Sequence, residues 1–420
     1  VFIGQSAENV PDGEPMIVVS TAILENNPEL VEARRRGLSI CHRAEMLAHL
    51  GRGLDTLAVA GTHGKTTTSS MLAFTLDAMG EDPTFLIGGI VRSYGTNAHS
   101  GTGRYYVVEA DESDKSFTYL SPAAIIVTNV ETDHLDHYED LEEIYEQFEK
   151  FIGSVPAGNP VVVCGDDARL VEIARRGSGS VVTYGFDESC DACILDAAPH
   201  GVGSTFELRL PSGKLVGGSI KQNPGAHNVA NGVAVLTLVD ALGLDVELAA
   251  EKLAEFSGVR RRFDLVGEAG GGTVVDDYAH HPTEIAALLD AARRRYPQSK
   301  IRVIFQPHLF SRTRFFSSEF AQALAKTDDV IVTGIFPARE KQEDFPDVTP
   351  ATIVDEALKL EHEPAKDWIR GVEDMHTAAQ MMVMRAHHGD VIFTVGAGDI
   401  TQMDEVILHA LEAHRWDCEG

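Results

Sequence analysis

The sequence predicts an α/β protein built on doubly wound, mostly parallel sheets, and two observations carry that reading. Short β-branched runs are followed repeatedly by a polar or glycine-bearing loop and then by a helix-period segment, the pattern of strand–loop–helix units. These units fall into two series, one opening near Leu57 and one after the arginine triplet Arg260-Arg261-Arg262. The 420 residues also suffice for two or three domains of about 150 residues each.

In chain order, Val1-Phe2-Ile3-Gly4 and Met16-Ile17-Val18-Val19-Ser20 read as strands, but only some fifty residues precede the first strong unit. That is too few for an ordinary α/β domain, so the expectation is a domain whose beginning is absent. Leu57-Ala58-Val59-Ala60 then runs into Gly61-Thr62-His63-Gly64-Lys65-Thr66-Thr67 and a helix carrying Met71, Leu72, Leu76 and Met79. Tyr105 to Val108 runs into the acidic loop Glu109-Ala110-Asp111-Glu112-Ser113-Asp114, and Ala124 to Val127 into the loop 128–134. Asp140 is placed to cap a helix whose apolar face is Leu141, Ile144, Tyr145, Phe148, Phe151 and Ile152. Glycine-rich, weaker strands over roughly 181–222 are expected to finish the first series as a small β region. In the second series Thr273-Val274-Val275 leads to Asp276-Asp277-Tyr278-Ala279-His280-His281-Pro282, with Pro282 suited to the first helical turn. Ile301 to Phe305 leads to the loop Gln306–Arg312, and Asp390 to Val395 to Gly396-Ala397-Gly398-Asp399.

Composition narrows the partners. Lys plus Arg number 35 against 64 Asp plus Glu, a formal charge of −29. No basic run exceeds three residues, so nucleic acid and anionic membrane surfaces are excluded as partners. No apolar stretch reaches the roughly 18 residues of a membrane span, and the first residues lack a signal-peptide layout, so a cytoplasmic protein is expected. Five cysteines include one isolated C-x-x-C, Cys190 to Cys193, without the second pair that a zinc site needs.

The chemistry lies in the loops. Gly61-Thr62-His63-Gly64-Lys65-Thr66 joins a strand to a helix, so its backbone N–H groups and the helix N-terminus suit phosphate oxygens, which Lys65 would neutralise. Thr66 is placed to offer its hydroxyl to a magnesium ion. The loop departs from the strict G-x-x-x-x-G-K-[ST] form, because Val59 stands where the first glycine would be. Glu109, Asp111, Glu112 and Asp114 add hard oxygen donors and His134 an imidazole. Carboxyl ends of neighbouring parallel strands face one crevice, so these three loops should meet at the phosphates. Asp133, His134, Asp136 and His137, or His280 and His281, also allow a zinc reading, but neither set has H-x-x-x-H spacing. Gly396-Ala397-Gly398 lacks the third glycine of a dinucleotide fingerprint. By themselves these loops leave open a P-loop ATPase that forms no bond.

Taken together, the motifs Gly61–Thr68, Glu109–Asp114, Asp133–Asp136, His227–Asn231, Arg261-Arg262-Phe263, Asp276–Glu284 and Gln306-Pro307-His308 resemble, in order and spacing, those of the Mur ligases. The resemblance covers nearly the whole chain. It implies an incomplete N-terminal Rossmann-like, UDP-binding part (1–52), a central P-loop ATPase domain (53–258) and a C-terminal Rossmann-like, amino-acid-binding domain (259–420). It further implies an ATP-dependent ligase that joins L-alanine to the lactyl carboxylate of UDP-N-acetylmuramate through an acyl phosphate, in peptidoglycan precursor synthesis. A muropeptide-recycling relative, which joins a tripeptide to the same sugar nucleotide, is the alternative within the family. ATP and Mg2+ are the implied cofactors, and a monomer or weak homodimer is expected. By motif, Gly61, Thr62, His63, Gly64, Lys65, Thr66 and Thr67 hold the nucleotide with Asn228, Asn231, Arg262 and Asp276. Lys65, His134 and Arg262 are the implied catalytic groups, and Thr66, Glu109 and His134 the metal ligands. Tyr278, His281, His308 and Arg312 are the implied substrate-binding set. Some relatives carry a second arginine directly after the histidine, where this chain has Leu309, which leaves Arg312 as the partner for the alanine carboxylate.

Overall fold

The computed structural model describes residues 2–113, 115–132, 138, 140–200, 203–222, 224–362 and 367–413. His134, Asp133, Asp136, His137, Asp114 and Cys418 lie outside them.

The first fifty residues form a short parallel pair, β1 (Ile17–Val19) and β2 (Ile40–His42), with helices α1 (Pro28–Arg35) and α2 (Arg43–Leu50). The expected strand at the start does not form: Phe2 and Ile3 are exposed and pair with no sheet. An apolar run without a neighbouring strand has no ladder to join.

The central sheet has ten strands. They are β3 (Asp55–Ala60), β4 (Thr84–Val91), β5 (Thr96–His99), β6 (Tyr105–Glu109), β7 (Ala124–Val127), β8 (Pro160–Cys164), β9 (Ser180–Gly185), β10 (Ala192–His200), β11 (Gly203–Arg209) and β12 (Leu215–Ile220). Their order is β12-β11-β10-β9-β8-β7-β3-β6-β4-β5. From β10 to β4 all pairs are parallel, while antiparallel strands finish both ends. The glycine-rich strands expected to finish the first series as a small β region continue the same sheet, since β10 pairs directly with β9. β3 lies in mid-sheet with both faces covered, which is why it reads as a continuous apolar run. Helix α3 (Lys65–Ala78) covers one face. The other receives α4 (Leu141–Gly153), whose predicted apolar face is buried and whose Asp140 side chain accepts a hydrogen bond from Glu143 N. Helix α5 is Ala168–Ala174. Helix α6 (Ala226–Ala241) packs on the α3 side and is apolar nearly all round, as befits a helix enclosed between the sheet and α7 (Val246–Leu253).

A second sheet contains β13 (Asp264–Ala269), β14 (Gly272–Asp277), β15 (Ile301–Phe305), β16 (Asp329–Thr333), β17 (Ile369–Val372) and β18 (Val391–Val395). Its order is β13-β14-β18-β15-β16-β17, parallel except for the β13–β14 hairpin. Helix α8 (Pro282–Arg295) has Pro282 in its first turn as the sequence predicts, and its N-cap is His281. Helices α9 (Phe310–Phe315) and α10 (Ser317–Leu324) follow β15. At the opposite, amino ends of the strands, Arg302 is buried and donates to Asp390 Oδ2 at 2.6 Å and Asp329 Oδ2 at 2.5 Å. Arg385 and Arg370 also reach Asp329.

Candidate active site

The loop between β3 and α3 wraps tightly because two glycines permit it. Gly64 has φ +81°, and a Cβ there would sit 2.9 Å from Asn231 Oδ1, while one at Gly61 would sit 2.1 Å from Thr128 Oγ1. Lys65 opens α3 and is half-buried, its ammonium donating to Gly61 O (2.7 Å), Thr62 O (3.1 Å) and Glu112 Oε1 (2.8 Å). Burial alone would depress its proton affinity, but Glu112, Asp111 and Glu109 outweigh that and hold the ammonium above its usual range. Thr66 Oγ1 donates to Glu109 Oε1 at 2.9 Å, and Glu109 Oε2 accepts from Gly88 N at 2.8 Å. The hydroxyl, this carboxylate and the neighbouring Asp111 line one cleft. A set of hard oxygen donors of this kind fits Mg2+ better than a transition metal. His134, the third expected ligand, is outside the described residues.

Two cavities flank this loop. The larger, about 970 Å³, runs from Lys65, Thr66 and Glu109 past Arg262, Asp276 and Tyr278 to His308 and Arg312. The smaller, about 260 Å³, lies between α6 and α8 and includes His63, Gly64, Thr67, Asn228, Asn231 and Arg262. Gly64, Arg262 and Glu284 border both. Asn228 and Asn231 share a helix face as their spacing predicts, with Asn231 Nδ2 3.4 Å from Asn228 Oδ1. Asn228 Nδ2 also donates to Pro224 O. Beside them, burial brings His227 down to about 4.

The C-terminal sheet contributes the far wall. The two aspartates at the end of β14 diverge, as alternate strand residues must. Asp276 borders the larger cavity, 3.3 Å from Arg261 Nε, and burial raises its carboxyl. Thr401 Oγ1 lies within 2.9 Å of Asp276 and 3.2 Å of Asp404, which burial and the neighbouring Asp276 push to about 7. Asp277 faces the smaller cavity, but its oxygens accept from Phe263 N and Ala279 N. Its role is thus to shape the loop. The guanidinium groups of Arg261 and Arg262 lie 4.9 and 5.1 Å from the Tyr278 ring centre, and Arg262 is 3.8 Å from Glu284. Arg312 NH1 is 3.2 Å from His308 Nδ1. A guanidinium can only donate, so Nδ1 accepts and the His308 proton sits on Nε2.

His281 does not line either cavity. It caps α8 with its ring packed between His63 (4.8 Å) and Phe316 (4.8 Å), whereas the adjacent His280 borders the larger cavity. His281 thus stands apart from Tyr278, His308 and Arg312, the other members of the expected substrate set, because successive residues at a helix start point apart. Among the described residues His63, Glu131 and His281 form the one cluster with metal-ligand proximity. Its geometry is already that of an ionic clasp between the two sheets' domains. His63 Nδ1 meets Glu284 at 3.2 Å and Nε2 lies 3.5 Å from Glu131, while Thr283 Oγ1 donates to Glu131 Oε2 at 2.8 Å. Burial opposes charge on His63, yet the two glutamates raise it to about 9. Partial burial of Glu284 favours its neutral form, but His280 and His63 hold it well below the usual range. Sequence reading assigned no role to Glu131 or to this clasp.

Residues 1–53 match the Mur ligase family, catalytic domain; 59–239 the Mur ligase middle domain; and 261–398 the Mur ligase, glutamate ligase domain. The chain is 56% identical over 449 residues to a UDP-N-acetylmuramate–L-alanine ligase of Bifidobacterium adolescentis, spanning all of this chain and 85% of the relative. It is 45% identical to the ligase of the same name from Thermobifida fusca, covering 98% and 87%. Among solved structures, UDP-N-acetylmuramate–alanine ligase from Thermotoga maritima superposes with a TM-score of 0.82 at 30% identity, covering 99% of this chain and 89% of that one. A murein peptide ligase from Psychrobacter arcticus shares the fold at TM-score 0.72 and 23% identity, covering 97% and 88%. With domain matches along its length and full-length relatives at these identities, the chain belongs to the Mur ligase family.

Proposed function

We propose that the chain joins L-alanine to UDP-N-acetylmuramate in an ATP-dependent reaction of peptidoglycan precursor synthesis. A lactyl carboxylate oxygen attacks the γ-phosphorus of ATP and ADP departs; the alanine amine then attacks the acyl carbon, loses a proton and expels phosphate. The observation that carries the reading is the single large cavity shared by the Lys65 loop of one sheet and the His308–Arg312 loop of the other. Such transfers need alignment and charge neutralisation more than covalent help from the protein.

In this reading Gly61 to Thr67 cradle the phosphates and Lys65 neutralises the β- and γ-oxygens. Arg262, bordering both cavities, reaches the same charge from the C-terminal side. Asn228 and Asn231 bind the nucleoside in the smaller cavity. Thr66 and Glu109, with His134, would hold Mg2+, which would supply positive charge to offset that of the phosphates. Tyr278, His308 and Arg312 receive the amino acid, and Arg312 takes its carboxylate. Asp276 aligns Arg261 at the rim. The parts 1–52, 53–258 and 259–420 are assigned to UDP, ATP and amino-acid binding.

Phosphate release tests this. It should require both UDP-N-acetylmuramate and L-alanine, and alanine should be strongly preferred over a tripeptide. Release at the same rate with either substrate omitted would sink the ligase reading.

A further inference from the structure

We propose that Arg339 is a second substrate-binding cation that, with Arg312, holds the carboxylate of the incoming amino acid. The inference rests on the ligase reading above and adds a residue from a loop remote in sequence.

The position after His308 supplies no charge. Leu309 is buried at 5% exposure, has φ +69° and donates its N–H to Phe336 O at 2.9 Å. That bond belongs to a set that fastens the segment after β16 onto the amino-acid loop. Phe336 N donates to Pro307 O at 2.8 Å, the Phe336 ring stacks on His308 at 5.7 Å and 14°, and Ser311 N donates to Glu340 Oε2 at 3.0 Å. Arg339 lies between those two anchors, directly after Ala338, whose φ of +48° turns the chain. It borders the same cavity as His308, Leu309 and Arg312. The remaining arginines there come from the other side. They are Arg92, Arg260, Arg261 and Arg262.

The chemistry asks for a second cation. The amine must stay unbound to attack, so a small amino acid can be anchored strongly only through its carboxylate. Two oxygens offer about four lone-pair sites, more than one buried guanidinium fills. A second guanidinium also lets the site distinguish a carboxylate from a neutral amide of the same shape.

The experiment compares the wild-type protein with Arg339→Ala and Arg339→Gln in phosphate release, using L-alanine and L-alaninamide as acceptors. The expected result is a KM for L-alanine raised about tenfold in both variants, with kcat and the KM values for ATP and UDP-N-acetylmuramate nearly unchanged. Such a change corresponds to ~1.4 kcal/mol of binding. The preference for L-alanine over L-alaninamide should fall by about the same factor. An unchanged KM for L-alanine and an unchanged preference in a folded Arg339→Gln protein would overturn the proposal. Equal losses for all three substrates would also overturn it, because they indicate a structural role. A wild-type protein indifferent to L-alanine would instead overturn the ligase reading on which this one stands.

Discussion

Raising the pH should undo the clasp between the phosphate-loop domain and the C-terminal domain, and the size of the effect follows from His63. Its imidazole is raised from 6.5 to about 9. Burial works against the charge, and the carboxylates of Glu131 and Glu284 more than compensate. At ~1.4 kcal/mol for each tenfold change in proton affinity, the difference amounts to ~3 kcal/mol of stability linked to this proton. Because the folded value lies above the unfolded one, that stability is fully present below about 6.5 and is lost as pH rises through about 9. Side-chain exposure of only 13% means that solvent screening removes little of it. The measurements are an NMR titration of the His63 ring and urea unfolding at pH 6.5 and 9.5, for wild type and His63→Gln. Wild type should lose ~3 kcal/mol more than the variant across that interval. A ring that titrates at or below 6.5, or a variant whose stability falls as steeply as wild type, would refute the reasoning.

Other substitutions probe different links. Lys65→Met should lower the rate of phosphate release by at least about a hundredfold, since in the proposed reaction it removes a charge aimed at the transferring phosphoryl group; steady-state kinetics checks the rate, and thermal unfolding separates it from the stability cost of removing the ammonium beside buried Glu112. Gly64→Ala places a Cβ 2.9 Å from Asn231 Oδ1 at a φ of +81°, and should weaken binding of a fluorescent ATP analogue by at least about tenfold. Thr66→Val should raise the Mg2+ concentration needed for half-maximal activity, and chelation by EDTA should abolish activity in both proteins; a variant with an unchanged Mg2+ requirement would remove Thr66 from the ligand set. Arg302→Met should destabilise the protein by about 3 kcal/mol in denaturant titrations, because buried Asp390 loses its ion-pair partner while Asp329 keeps Arg370 and Arg385.

What could be read from the sequence was whatever depends on local order. The strand, glycine loop and helix around Lys65 are contiguous, and the rule that parallel strands open onto one crevice brings Glu109 and Asp111 to the loop without further information. The apolar face of α4 and its Asp140 cap follow from spacing alone. Other features depend on how separate elements approach one another. No pattern around Glu131 announces that Thr283 and His63 will meet it across two domains. His280 and His281 are equivalent in sequence, and only the helix start decides that one faces the cleft while the other lies behind His63. Asp276 and Asp277 divide in the same manner between two cavities. The strands over 181–222 were readable as strands but not as the continuation of one sheet, because edge pairing is set by partners far along the chain.

If Lys65 binds phosphate as proposed, its contact with Glu112 bears on selectivity among phosphates. The ammonium is not waiting in an empty pocket; it already has an anion at 2.8 Å and two backbone carbonyls. A phosphate group can reach it only by displacing or sharing with a carboxylate the fold itself supplies. Exchange of this kind sets a threshold, since a weakly charged or poorly aligned anion gains too little to unseat the internal one, whereas a multiply charged triphosphate held along the whole loop gains enough. In that reading the carboxylate acts as a standing competitor against which an entering anion is weighed.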